Sequence, residues 1–138
     1  MRVMVLVKAS RESEAGQMPS EQILRDMTNY NEQLVKAGVM QAGEGLRPSS
    51  AGKRVKFDGA QRVVTDGPFA ETKELLAGFW LWKVKSIEDA VEWLKKAPFG
   101  GGTELEIRPI FEAEDFGAAL APDVREKEER LRAEIERQ

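Results

Sequence analysis

Phe79-Trp80-Leu81-Trp82-Lys83-Val84 is the stretch on which the reading of the fold turns. It is too short and too rich in aromatic and branched residues for a helix of its own, and it carries large apolar groups at both odd and even positions. Side chains alternate between the two faces of a strand, so this one asks for cover on both sides. Helices can supply one cover. For the other, Trp80 and Trp82, or Phe79 and Leu81, would meet water unless something lies over them, and rings of that size are poorly placed in solvent. Two solutions are open: an identical sheet packed back to back, giving a homodimer or higher homo-oligomer, or a hairpin or C-terminal segment folded over the face within one subunit.

Working outward, the neighbouring segments repeat a strand-helix-strand order. Val3-Met4-Val5-Leu6-Val7 is apolar throughout and reads as a central strand. Ser10 to Pro19 reads as a polar connection. Ser20 caps a helix whose stripe is Ile23, Met27, Tyr30, Leu34 and Ala37, with Gly38 as its stop. Val39 to Leu46 is a second strand, ended by Arg47-Pro48-Ser49-Ser50. Lys53 to Phe57 and Arg62 to Thr65 flank Asp58-Gly59, which suits a tight hairpin turn. After the aromatic strand, Ser86 with Asp89 opens a helix carrying Ile87, Ala90, Val91 and Leu94, and Pro98 with Gly100 to Gly102 ends it. Glu104 to Ile110 alternates charged and apolar, and Pro109 marks an edge. The fold class is therefore α+β, a ferredoxin-like β-α-β-β-α-β with an inserted β-hairpin, an antiparallel sheet and both helices on one face. Residues 1–111 form that domain. Residues 112–138 form an extension whose Pro122 to Gln138 segment favours a peripheral helix, with Glu126 to Arg130 and Glu128 to Arg132 pairs at favourable spacing.

Composition narrows the chemistry. The 138 residues, 41% hydrophobic and 33% charged, suit one domain with a real core. A net charge of −3 offers no reason to expect nucleic acid or an anionic membrane surface. Cysteine is absent, so thiolate nucleophiles, thiolate metal sites and disulfides are excluded; a cytoplasmic setting is expected. The Val3 to Val7 run is far shorter than a signal or membrane segment. Histidine is absent too, which removes the side chain best suited to proton transfer near neutral pH. The acids show no metal-ligand spacing, and no cofactor is implied.

One run packs acids, a lysine and a hydroxyl around a stiff turn: Thr65-Asp66-Gly67-Pro68-Phe69-Ala70-Glu71-Thr72-Lys73-Glu74. Phe69 could anchor such a loop with Asp66 turned inward. Asp66 or Glu71 would then serve as acid or base if burial brought its pKa toward neutrality, with Lys73 orienting an anionic group. In the competing reading Asp66 caps the turn and the remaining charges are solvated. Thr72 joins the loop's ligand-binding candidates with Phe69. Tyr30 is a core phenol or a pocket residue, Arg47 and Arg54 are surface cations or carboxylate clamps, and Trp80 is core, interface or pocket lining. Gly100 to Gly102 lacks the helix and lysine of a phosphate loop.

The same ten-residue run, followed by Gly78 and the aromatic strand, resembles the signature of the YCII-related, DGPF-domain family, over roughly Arg2 to Phe111. The resemblance implies the dimeric α+β barrel type of ferredoxin-like fold, and a setting beside extracytoplasmic-function sigma factors that makes such a factor an expected partner. Shorter relatives carry a His–Asp pair proposed for acid–base work, and with no histidine here that pair does not carry over. Three functions follow as expectations: a homodimeric small-molecule-binding or accessory module with a pocket beside the Asp66 loop; a cofactor-independent lyase, isomerase or oxygenase acting on a small organic acid through carboxylates; or a protein-interaction partner in sigma-factor regulation.

Overall fold

The computed structural model describes residues 1–70 and 74–138. Strand β1 (Arg2–Lys8) lies inside a four-stranded antiparallel sheet, between β5 (Leu76–Lys83) and β6 (Leu105–Pro109), and β2 (Met40–Gly45) closes the far edge against β5. The order β2-β5-β1-β6 is that of the ferredoxin-like fold. Between β2 and β5 the chain leaves to make a separate two-stranded sheet, β3 (Lys53–Asp58) and β4 (Gln61–Asp66).

Helices α2 (Glu21–Lys36) and α3 (Ile87–Lys95) start where their caps predict. Ser20 Oγ accepts from the Ile23 amide at 3.1 Å and Ser86 Oγ from the Asp89 amide at 3.1 Å. Gly38, at φ 71°, takes the left-handed turn that ends α2. Both helices cover one face of the sheet, because Tyr30 and Leu34 of α2 and Ala90 of α3 share a single buried cluster with Val3, Val5, Trp80 and Trp82. Register explains the set: Val3 faces Trp82 and Val5 faces Trp80 across β1 and β5, so all four side chains point the same way. This resolves the alternation left open by the aromatic strand. The tryptophans face the helices, while Phe79 and Leu81, with Met4 and Leu6 opposite them, form the other, half-buried face. Trp82 Nε1 is buried without an acceptor among the described residues.

Three local features differ from expectation. The connection after β1 contains a short helix, α1 (Arg11–Glu14), capped by Ser10 and Ser13 in a reciprocal box. A 3₁₀ segment, Ala113–Ala119, follows β6, and Phe111 and Phe116 stack with centroids 5.2 Å apart. Helix α4 (Pro122–Arg137) is exposed along its whole length, and its described i,i+4 ion pair is Arg125 with Glu129 at 3.3 Å rather than either expected pair. Arg125 also reaches Glu114 at 3.2 Å. The tail is tied to the sheet by a two-pronged pair, Arg2 Nε to Glu112 Oε1 at 2.9 Å and Arg2 Nη2 to Glu112 Oε2 at 3.1 Å. These bonds hold the Glu112 carboxyl below the usual carboxylate range and raise the Arg2 guanidinium further.

Candidate functional site

The Asp66-Gly67-Pro68-Phe69 turn leaves the end of β4 and docks on the 3₁₀ segment Ser49–Ala51 rather than on the sheet. The Gly67 amide donates to the Gly52 carbonyl at 3.0 Å, and the Phe69 amide donates to Ser49 Oγ at 3.0 Å. Ser49 is itself held by α1, since its amide and its hydroxyl both donate to the Glu14 carboxylate, at 2.9 and 2.5 Å. One carboxylate thus fixes a serine that in turn fixes the motif. Gly67 is needed for space and not for its torsion: a Cβ there would lie 1.8 Å from the Ser49 carbonyl oxygen, and its φ is not positive. The Gly67–Pro68 bond is cis.

The candidate residues of the motif fall into separate positions. Asp66 faces water, its side chain 75% exposed, and pairs with Lys53 across the base of the hairpin. Phe69 is half-buried and anchors the loop as expected, with the Arg54 guanidinium stacked 3.9 Å from its ring centroid. Glu71, Thr72 and Lys73 lie outside the described residues. Arg47 is exposed. Tyr30 belongs to the core: it is 3% exposed, its hydroxyl donates to the Trp93 carbonyl at 2.7 Å, and burial pushes its pKa up to about 12. Among the described residues no three acids gather closely enough to hold a metal ion.

Trp80 is the candidate that meets a cavity. A groove of about 340 Å³ opens between α2 and the β2–β5 edge, with Ile23, Leu24 and Met27 on the helix side and Gly43, Gly78 and Phe79 on the sheet side. That volume is at the lower end of what small-molecule sites use. The indole of Trp80 is held edge-on by Tyr30 (centroids 5.9 Å, 75°) and Phe99 (6.2 Å, 82°), and it leans on Trp82. Gly43 makes room for it, since a Cβ there would sit 2.7 Å from Trp80 Cδ1. Trp80 Nε1 donates to Asn31 Oδ1 at 2.9 Å. That bond orients the Asn31 carboxamide with its oxygen engaged and its NH₂ end as the donor it can offer. Asn31 and Glu44 are the polar side chains of an otherwise apolar lining.

Pro19 and Val7 also line the groove, and Glu14, five residues before Pro19, clasps Ser49 and so the Asp66–Phe69 turn. Sequence reasoning missed Glu14, Ser49 and Asn31. Ser49 read only as a turn former and Glu14 only as one of many acids, because a contact between residues 35 positions apart leaves no periodic trace.

The profile of the YCII-related domain matches residues 1–114. An uncharacterised protein of Rhizobium meliloti is 33% identical over 93 residues, covering 65% of this chain and 74% of that protein. Among solved structures, the 5-chloro-2-hydroxyhydroquinone dehydrochlorinase of Burkholderia phenoliruptrix, in complex with 2,5-dihydroxybenzoquinone, aligns with a TM-score of 0.48 at 14% identity, over 83% of this chain and 98% of that one. With the profile spanning the sheet, both covering helices and the clasped turn, the chain belongs to the YCII-related family.

Proposed function

We propose that the protein is a small-molecule-binding module whose site is the groove over Trp80, and that its ligand is a small, flat, largely apolar compound carrying one polar group for Asn31 or Glu44. The observation that carries this reading is the pre-set indole. Trp80, only 5% exposed, is braced on three sides by rings and by Asn31, so the part of it that reaches the groove needs no ordering when a ligand arrives. The half-exposed Ile23 and Leu24 at the rim would be covered by the same event. The clasped turn contributes no lining group to the cavity; Glu14, which holds it through Ser49, precedes the lining residue Pro19 by five positions.

A panel of small aromatic and quinonoid compounds, followed by thermal shift and by quenching of indole fluorescence, tests the proposal. A true ligand at a hundredfold excess over its Kd should raise Tm by roughly 5 to 10 °C. The groove-filling variant Ile23→Trp should keep its fold, because Ile23 is 51% exposed, and lose the shift. If no compound shifts Tm, or if Ile23→Trp responds as the parent does, the groove is not the site.

A further inference from the structure

We infer that the groove over Trp80 selects an uncharged aryl carbonyl compound, whose oxygen accepts a hydrogen bond from the Asn31 carboxamide. The inference rests on the groove being the binding site, as proposed above, and fixes the chemical class of its ligand. An indole N–H only donates, so the 2.9 Å bond from Trp80 Nε1 places Asn31 Oδ1 on the tryptophan side and turns the NH₂ away from it. A flipped carboxamide would set its own NH₂ against the indole N–H, so the assignment is forced by chemistry. Among the described residues that NH₂ has no acceptor. Nor is it sealed in, since Trp82 Nε1 is the buried side-chain polar atom that they leave without a partner. Asn31 lines the groove with a lone pair of Oδ1 engaged and both NH₂ hydrogens unspent, so what it offers a ligand is a donor.

Charge narrows the class further. Glu44 is the charged side chain of the lining, and among the described residues no lysine or arginine joins it. An organic carboxylate or phosphate entering here would leave water beside an anion, with one amide as its compensation, and an unpaired charge is costly to desolvate. A neutral carbonyl oxygen takes the same amide at a far smaller desolvation cost. An ammonium group would be drawn to Glu44 but would meet the Asn31 NH₂ donor against donor. For a neutral ligand Glu44 is also the weaker handle, because it is exposed and already served by water, whereas Asn31 is half-buried.

Size agrees with a single ring. The groove's volume of about 340 Å³ exceeds the ~150 Å³ in which an apolar cavity holds benzene, which leaves room for a ring and a short carbonyl substituent. Ile23, Leu24, Met27 and Phe79 supply apolar walls for the ring. The donor stands beside the indole because the two are bonded to each other. A ring against the one and an oxygen on the other are therefore contacts that one small molecule makes together.

Four probes of similar size separate these contributions: acetophenone as neutral acceptor, ethylbenzene without a polar group, benzoate as anionic acceptor and 1-phenylethylamine as cationic donor. Each is titrated into the full-length protein at pH 8, with Kd read by NMR from the indole N–H of Trp80 and the side-chain NH₂ of Asn31. Acetophenone should bind about fivefold more tightly than ethylbenzene and about tenfold more tightly than benzoate or the amine, and should move the Asn31 NH₂ resonance downfield. Asn31→Asp keeps an acceptor for Trp80 Nε1 but replaces the donor with a carboxylate, so in this variant the amine should bind more tightly than acetophenone. Ile23→Trp, which fills the groove, should abolish binding of every probe. If Ile23→Trp does so, yet acetophenone binds no better than ethylbenzene, or benzoate matches it, or Asn31→Asp keeps the parent order, the groove remains the site and the inference is overturned. Binding that survives Ile23→Trp, or no binding by any probe, overturns the inference and the site together. The ranking in the parent protein decides alone where Asn31→Asp does not fold.

Discussion

The aromatic strand β5 and the hairpin β3–β4 are both short, antiparallel and rich in β-branched and aromatic residues, yet their fates are opposite. Trp80 and Trp82 are 5% and 0% exposed, while Phe57 and Val64 stand in water. Composition does not separate them. What separates them is cover: β5 lies between β1 and β2 beneath helices connected to those strands, whereas among the described residues the hairpin strands pair only with each other. Strand propensity is a statement about fitting a half-buried surface, and it leaves open whether the chain supplies that surface.

The sharpest way to break the comparison is to remove apolar volume from each region. Leu34 is fully buried on the inner face of α2, and Leu34→Ala should cost about 2 to 5 kcal/mol through lost burial and a residual cavity. Phe57→Ala removes a larger side chain and should change the unfolding free energy by about 0.5 kcal/mol or less. Urea titrations at high dilution measure both. Similar losses at the two positions would mean that the hairpin is covered within its own subunit.

Tyr30 sharpens the same contrast by pH. Its pKa is pushed up to about 12 by burial, above the value near 10 of an unfolded phenol. The folded state therefore keeps a proton that the unfolded state gives up, so stability is intact below pH 10 and falls as pH rises toward 12. The difference is worth roughly 2 to 3 kcal/mol across that window. Tyr30→Phe should lose a smaller amount at neutral pH, about 1 kcal/mol for the bond to the Trp93 carbonyl, and lack that alkaline slope. Parallel pH curves for parent and variant would place Tyr30 in water rather than in the core.

The clasped turn falls between the two regions, anchored by hydrogen bonds and not by a core. Gly67→Ala would drive a Cβ into the Ser49 carbonyl oxygen, and the backbone must yield. A cost of about 1 to 3 kcal/mol is expected. If the groove rim depends on this clasp, binding should weaken in Gly67→Ala by more than in Phe57→Ala. Equal affinities would disconnect the turn from the groove.

How much of this was legible follows from the range of the interactions. The two capped helices, the inward tryptophans as one of two alternatives and the hairpin at Asp58-Gly59 came from periodicity and from residues a few positions apart. Gly59, at φ 58°, takes the torsion its turn required. The candidate site was less readable. Phe69 as an anchor is legible in the run, whereas two positions are open for Asp66, turned inward or capping the turn; its side chain pairs with Lys53 in solvent. Trp80 reached the groove because its size made it a candidate anywhere. Glu14, Ser49 and Asn31 draw their roles from partners 20 to 49 positions away, and nothing in local pattern announces such partners.

The smallest expected effect is at the tie between sheet and tail. Arg2 and Glu112 make two bonds in good geometry, but both side chains keep contact with water, at 25% and 40% exposure. Solvent screening limits such a pair to about 0.5 to 1 kcal/mol. Because Arg2 lowers the Glu112 pKa in the folded state, that contribution is present above the unfolded carboxyl's pKa and disappears as pH falls through the lowered one. A double-mutant cycle of Arg2→Met and Glu112→Gln should give the coupling at pH 6 and a coupling that shrinks as pH falls through the lowered carboxyl pKa. A coupling of several kcal/mol would mean instead that this pair by itself fixes the tail to the sheet, and the tail would then belong with the core and not with the hairpin.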